Sequence, residues 1–193
     1  MRAHDFKSAW TEFVGELRPI SLATLNKFSL TSSTSEFLNQ SGLPDEAAPF
    51  LSFVGENLKD KYDCIDLLTN WFDFLPSEYS KYIVIGSDGC GDILAVNTEQ
   101  DCIVEWLDHE DGFSPRFMNT SILHLTSSLV AYGKFIKAIV KANGEDAYIN
   151  SNFTDTQLEV LHDFLKSIDE RSVNEGFWQA ELGSLITTRD DMK

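Results

Sequence analysis

The apolar positions near the beginning of the chain recur at the spacing of amphipathic helices. Asp5 is a plausible N-cap for a first helix, which we expect to end before Pro19. A second helix is predicted from the capping-box pattern Ser33-x-x-Glu36 to the breaking sequence Gly42-Leu43-Pro44. The apolar face of the first helix consists of Phe6, Trp10, Phe13, Val14 and Leu17.

The middle of the chain changes to short apolar runs that are typical of strands. FLSFV, beginning at Phe50, and YDCIDLL, beginning at Tyr62, are both candidate strands because they are rich in aromatic and branched residues. YIVIG, DILAV and CIVEW follow, separated by the turn-rich segments SDGCG and NTEQD. Three short strands with short turns between them predict an antiparallel meander.

Helical spacing returns in the last third of the chain. Residues 121–140 place apolar side chains three and four positions apart, which predicts a long helix packed by one face on the sheet. Another helix is predicted from Thr154, because Gln157 completes a capping box. Helices, then strands, then helices favour an α+β fold, which we expect to be one domain over residues 1–193 with a central, mostly antiparallel sheet and flanking helices.

The charge of the chain narrows the classes of partner. Thirty-one acidic and 15 basic residues give a formal net charge of −16. Such a charge repels nucleic acid and anionic membranes and attracts basic partners, although solubility alone is an alternative reason for it. We find no signal peptide and no apolar run long enough to span a membrane, and three widely spaced cysteines suit reduced thiols, so we expect a cytoplasmic protein.

The stretch GSDGCGD between two predicted strands has three possible interpretations. A phosphate-binding loop requires a following helix and a nearby lysine, and neither follows here. A calcium loop requires regularly spaced oxygen ligands, whereas only Asp88 and Asp92 are near in sequence. We therefore predict a hairpin in which Gly86, Gly89 and Gly91 adopt conformations that other residues resist and the aspartates cap the turn.

The segment EWLDHEDGF carries the strongest candidate for catalysis or metal binding. A histidine flanked by carboxylates can act as a general base or a metal ligand. Four adjacent residues at a strand end point in different directions, however, so a solvated exit from the strand is the simpler interpretation. No nucleophile motif accompanies them, and we predict no enzymatic activity, no metal and no cofactor. The four residues are Asp108, His109, Glu110 and Asp111.

Acidic residues are concentrated around the third strand of the meander. Six of them lie between positions 99 and 111, with no Lys or Arg in the same interval. They predict an anionic surface for a basic partner, with Trp106 or Phe113 as an aromatic anchor, unless they serve only to protect a strand edge from aggregation. The six are Glu99, Asp101, Glu105, Asp108, Glu110 and Asp111.

Four motifs in this order resemble the SUKH superfamily of immunity proteins. They are GLP followed by APFLSF, then YIVIGSDGCGDILAVN, then VEWLDHEDG, then FMNTSILHLTSSLVAYGKF, and the first is most similar to the fourth SUKH subfamily. The resemblance covers about residues 36–140. It implies a single α+β domain that binds and neutralises a bacterial polymorphic toxin, often a nuclease or deaminase, without catalysis.

The resemblance also implies which residues support the scaffold. Two alternatives to toxin binding stay open: a scaffold or regulatory module on the same fold, and a hydrolase that uses Asp108 and His109. Cys90 departs from the family pattern, which more often has a small or polar residue there. The scaffold positions are Gly86, Gly91, Asp92, Asp108, His109, Asn119 and Ser121. Of these, Asn119 or Ser121 is expected to accept hydrogen bonds from the free N–H groups at the start of the long helix.

Overall fold

The computed structural model describes residues 1–56 and 59–192, and its centre is an antiparallel sheet. The strands are β1 Leu17–Arg18, β2 Leu43–Pro44, β3 Glu46–Ala47, β4 Leu51–Phe53, β5 Asp66–Leu67, β6 Tyr82–Ser87, β7 Ile93–Asn97, β8 Ile103–Asp108 and β9 Ser114–Asn119. Seven of these described strands form one sheet in the order β3-β4-β6-β7-β8-β9, and β5 also pairs with β6. β1 and β2 pair separately.

The predicted meander is confirmed. β6, β7 and β8 pair antiparallel in sequence order, with Val84 opposite Ala95 and Ala95 opposite Glu105. The run that begins at Phe50 supplies β4, which pairs with the end of β6. Every residue of β7 is buried, because the sheet is covered on both faces.

Helices surround this sheet, which confirms the α+β class. α5 is the longest and packs against α1, α3 and α6 as well as against β8 and β9. Within residues 1–56 and 59–192, no helix combines the length and apolarity needed to cross a bilayer. The helices are α1 Ala3–Trp10, α2 Leu22–Leu25, α3 Ser32–Gln40, α4 Leu68–Trp71, α5 Ile122–Asn143, α6 Asp155–Ile168, α7 Glu170–Asn174 and α8 Phe177–Asp191.

The capping signals located two of the helix starts correctly. The Ser121 hydroxyl accepts a hydrogen bond from the backbone N–H of His124 at the start of α5. Thr154 and Gln157 form both bonds of a capping box at the start of α6. α3 is confirmed as well, but Thr31 caps it instead of the predicted Ser33. These helix starts are therefore specified locally by polar side chains.

The prediction for the first helix was wrong at both ends. α1 begins after Arg2 and ends at Trp10, so Asp5 lies inside the helix and Leu17 lies in β1. The chain turns because the Trp10 indole donates a hydrogen bond to the carbonyl of Gly15, 3.1 Å away. Gly15 has a φ of +108°, a conformation that favours glycine and ends the helical path.

The run that begins at Tyr62 forms only a short strand. A 3₁₀ turn at Lys61–Asp63 precedes β5, and α4 follows directly. Asp60 starts this turn by accepting a hydrogen bond from the backbone N–H of Tyr62 at 3.0 Å. Local side-chain capping therefore overrides the strand preference of the apolar residues.

Candidate functional site

The glycine-rich stretch is a five-residue connection between β6 and β7. One carboxylate oxygen of Asp88 accepts hydrogen bonds from the backbone N–H groups of Cys90 at 2.8 Å and Asp92 at 3.0 Å. Gly91 has a φ of +94°, which other residues adopt at a cost. The predicted hairpin and its cap by Asp88 are confirmed, whereas Gly89 has no positive φ and Asp92 bonds to His109 instead of capping the turn.

Gly86 is required for a reason other than the predicted one. Its φ is not positive, but a Cβ at this position would lie 2.3 Å from the carbonyl oxygen of Ser52. β4 crosses close to β6 here, with Phe53 opposite Gly86. The residue permits close approach of two strands, whereas Gly91 permits an unusual backbone angle.

Asp92 and His109 form a pair at the end of the sheet. Asp92 is buried, and its carboxylate accepts a hydrogen bond from the His109 backbone N–H at 2.8 Å. The same oxygen lies 2.6 Å from the His109 Nδ1 atom. This hydrogen bond raises the pKa of His109 above its ordinary value. The histidine therefore ties the β8–β9 turn to the β6–β7 hairpin.

Asp108 makes different contacts from its neighbour His109. One oxygen of Asp108 accepts hydrogen bonds from the N–H groups of Glu110 and Asp111, each at 3.1 Å. The other oxygen lies 3.0 Å from the guanidinium of Arg116. Asp108 thus caps the turn and pairs across the two strands, so it does not orient the histidine.

Trp106 lies beside these residues on the sheet face that α8 covers. Its indole N–H donates to Asp88 at 3.0 Å, and its ring packs against Phe177. The Arg116 guanidinium lies 5.5 Å from the ring centre. Trp106 is half-buried, so one part of the ring remains accessible. We call the following residues the strand-end cluster: Asp88, Asp92, Trp106, Asp108, His109 and Arg116.

Phe113 does not serve as an exposed anchor. The side chain is 6% exposed and its ring centre lies 5.0 Å from that of Phe72. It packs in an aromatic group with Phe72 and Phe74, which lie in the segment before β6. The expectation that Phe113 presents an accessible aromatic surface is therefore wrong.

The six predicted acidic residues do not form one continuous surface. Glu105, in the middle of β8, is 8% exposed and accepts a hydrogen bond from the Asn97 side chain at 2.7 Å. β8 lies between β7 and β9, so it is not an edge strand. Glu99 and Asp101 lie at one end of this strand, and Asp108, Glu110 and Asp111 lie at the other, roughly 17 Å away for six strand residues.

Asn119 joins the sheet to the C-terminal helices instead of capping α5. Its side-chain oxygen accepts a hydrogen bond from the Trp178 indole at 2.8 Å, and its amide donates to Asp169 at 3.3 Å. Asp169 is 7% exposed and also accepts from the backbone N–H of Thr120 at 2.7 Å and its hydroxyl at 3.1 Å. We call Asn119, Thr120, Asp169 and Trp178 the Asp169 cluster. Of Asn119 and Ser121, the two residues predicted to cap α5, Ser121 does so and Asn119 does not.

An apolar groove beside the hairpin is a feature that the sequence reasoning did not identify. It encloses about 690 Å³ between the end of α1, the β3–β4 turn and the middle of α5. Val14, Phe50 and Gly133 are among the residues that line it. The available signal was this glycine, since an isolated glycine within a helical pattern usually has a packing reason.

The described residues contain no group of three or more His, Cys, Asp and Glu side chains placed to hold a metal ion. A comparison with protein-family models matched the chain to the SUKH-4 immunity protein model over residues 12–184. This range extends the resemblance of residues 36–140 in both directions and includes most of α8. Searches of curated proteins and of solved structures found no match.

Proposed function

Because the chain belongs to the SUKH-4 immunity protein family, we propose that it binds and neutralises a cognate bacterial toxin in the cytoplasm without catalysing a reaction. The observation that carries this proposal is the family match, which covers residues 12–184. An immunity protein acts by occupying a surface that the toxin needs. Its own requirements are a rigid scaffold and a complementary surface rather than a reactive centre.

The charge of the chain favours a toxin with a basic surface. A net charge of −16 attracts a positively charged protein over a long range and raises the association rate. A nuclease toxin has such a surface because it must bind phosphates, and a deaminase that acts on nucleic acid shares this requirement. Both toxin classes are therefore consistent with the charge, and neither nucleic acid nor a membrane is an expected partner.

The exposed acids at the ends of β8 are the proposed electrostatic contacts. Glu110 and Asp111 are exposed on the turn beside the strand-end cluster, and Glu99 and Asp101 are exposed at the other end. Glu99 lies 3.9 Å from Lys81, which reduces its effect on a partner. Of the two ends, we place the main electrostatic contact at the turn beside the strand-end cluster, where the Trp106 ring is partly accessible.

The contacts of Asp108 and His109 argue against a hydrolase in which these two residues are the catalytic pair. A catalytic pair requires the carboxylate to orient the histidine toward a nucleophile. Asp108 instead accepts from turn N–H groups and pairs with Arg116, and the histidine is held by Asp92. These contacts fit the stabilisation of two adjoining turns.

Co-expression with the toxin encoded by the neighbouring gene tests the proposal. We expect the chain to restore growth of cells that produce this toxin and to form a stable complex with a catalytically inactive toxin variant. An unrelated toxin of the same chemistry serves as the specificity control. Failure to protect against the neighbouring toxin, together with turnover of a substrate by the purified chain, would contradict the proposal.

A further inference from the structure

The groove beside the hairpin exposes apolar side chains that are usually buried. Phe50 is 75% exposed and Val14 is 88% exposed, and both line the groove. Leu129 and Ile136 of α5 contribute apolar atoms to the floor. Clustered exposed apolar side chains in a soluble protein usually mark an interaction site.

Phe50 is held in a conformation that keeps its ring at the surface. Its φ is +51°, which is uncommon for a bulky residue. The ring centre lies 6.3 Å from that of Tyr148, and the Tyr148 hydroxyl lies 3.0 Å from that of Tyr132 in the interior. The exposed ring therefore packs against the half-buried ring of Tyr148, which the buried Tyr132 holds in turn.

Gly133 leaves room for the Phe13 ring to lie against α5. A Cβ at this position would lie 2.7 Å and 2.9 Å from two ring atoms of Phe13. A glycine inside a helix costs about 1 kcal/mol relative to alanine, so its presence in α5 requires a compensating contact. The contact here is the Phe13 ring, which lies against the helix backbone and forms one side of the groove.

The charges that line the groove select a basic partner. Glu12 and Glu46 are exposed and line the groove, but Lys137 lies 3.2 Å from Glu12 and reduces the effect of Glu12 on a partner, so Glu46 supplies most of the attraction. A second apolar groove of about 730 Å³ lies between α5 and α6, with the exposed residues Val160 and Phe164. Among the described side chains that line this second groove, Lys134 carries the charge. A basic toxin therefore favours the first groove over the second.

The first groove is continuous with the strand-end cluster. Gly89 of the hairpin lines the groove, and a Cβ there would lie 3.3 Å from the Cβ of Phe50. On the other side of the hairpin, a Cβ at Gly91 would lie 3.9 Å from the His109 ring. An apolar centre thus adjoins acidic turns, which is the usual arrangement of a protein interface with an apolar core and a polar rim.

We propose that the groove at Phe50 is the apolar centre of the toxin interface, and that the toxin inserts an apolar side chain flanked by Lys or Arg. This inference rests on the proposed function and assigns its main contact. Phe50 packs against the inserted side chain, while Glu46 and the acids of the β8–β9 turn meet the flanking basic groups. The proposal places most of the binding free energy at Phe50, because buried aromatic anchors dominate such interfaces.

The test compares matched variants of the two grooves for binding to a catalytically inactive form of the neighbouring toxin. We expect Phe50→Ala to weaken the dissociation constant by about 30-fold or more and Phe164→Ala to change it by less than about 3-fold. Glu46→Lys should slow association more than Glu159→Lys, since both change the net charge equally and Glu159 is exposed on α6. Thermal melts establish that all four variants fold.

Hydrogen exchange and sedimentation make the test independent of mutational damage. We expect protection of residues 46–52 and 129–137 in the complex. If the toxin binds and Phe50→Ala leaves its affinity unchanged, or if protection falls on α6 instead, the groove assignment is overturned and the proposed function stands. If the unmodified chain forms dimers that Phe50→Ala dissociates, the occupant is a second copy and the assignment is wrong. If the toxin does not bind at all, both proposals fail.

Discussion

Removal of the Asp169 carboxylate should destabilise the protein more than removal of any exposed acid. Asp169→Ala deletes three hydrogen bonds to Asn119 and Thr120, and it removes the 3.3 Å acceptor of the Asn119 side-chain amide, which is fully buried. A hydrogen bond to a charged group contributes about 1.5 to 3 kcal/mol, and a buried donor without a partner costs about 1 to 3 kcal/mol. Because these terms overlap, we expect a loss of about 3 to 5 kcal/mol in the free energy of unfolding.

This loss is measurable by thermal and urea unfolding followed by circular dichroism. For a chain of this length, 1 kcal/mol corresponds to about 2 to 4 °C, so the melting temperature should fall by about 6 to 20 °C. Asp163→Ala is the control, because that side chain is 81% exposed, and it should change stability by less than about 0.5 kcal/mol. Asp169→Asn, which keeps an acceptor for Thr120, should fall between the two. Equal melting temperatures for the alanine variants at 169 and 163 would refute the reasoning.

Three further predictions concern the hairpin and the acidic turns. Gly86→Ala and Gly91→Val should each destabilise the protein by about 1 to 3 kcal/mol in urea unfolding. Of the two glycines, Gly91 has a positive φ and Gly86 does not. Asparagine should therefore be tolerated better than valine at Gly91 but no better than alanine at Gly86. The pKa of His109 is raised in the folded state, so its ion pair stabilises the fold below the unfolded pKa and is lost as pH rises through the folded pKa. His109→Ala should therefore lower the melting temperature more at about pH 5.5 than at about pH 8.5. Equal losses at the two pH values would show that the pair contributes nothing. Reversal of Glu99 and Asp101 to lysine should slow association with the toxin and flatten its salt dependence; an unchanged salt slope in stopped-flow measurements would remove this end of β8 from the interface.

Periodicity and capping specified the meander, α3, α5 and α6, because these elements depend on local side chains. β9 was not predicted, since Pro115 and Arg116 read as a break between a strand and a helix. Pro115 is tolerated because β9 lies at the edge of the sheet, where a missing N–H leaves no partner unpaired. A proline in the sequence therefore does not exclude a strand, because it is tolerated where that strand lies at the edge of the sheet.

The candidate site was predicted in composition but not in arrangement. The sequence shows that Glu105 lies among acids, but only the register of β8 places its side chain inward against Asn97. It likewise groups Asp108 with His109, although strand alternation gives them different partners. The groove at Phe50 was missed because Phe13 and Val14 matched a helical pattern that actually ends at Trp10. Long-range packing decides all three cases.

The bond from the Trp178 indole to Asn119 has a consequence for folding during synthesis. Trp178 is fully buried against the end of the sheet, and it follows Asn119 by 59 residues. At a ribosomal rate of about 5 to 20 residues per second, roughly 3 to 12 s pass between the synthesis of the two residues. During this interval α5, α6 and α7 are synthesised, and the sheet lacks α8, the helix that carries Trp178. The interior near Asn119 is completed only after residue 178 has emerged, so an unfinished chain exposes apolar surface that chaperones and proteases recognise.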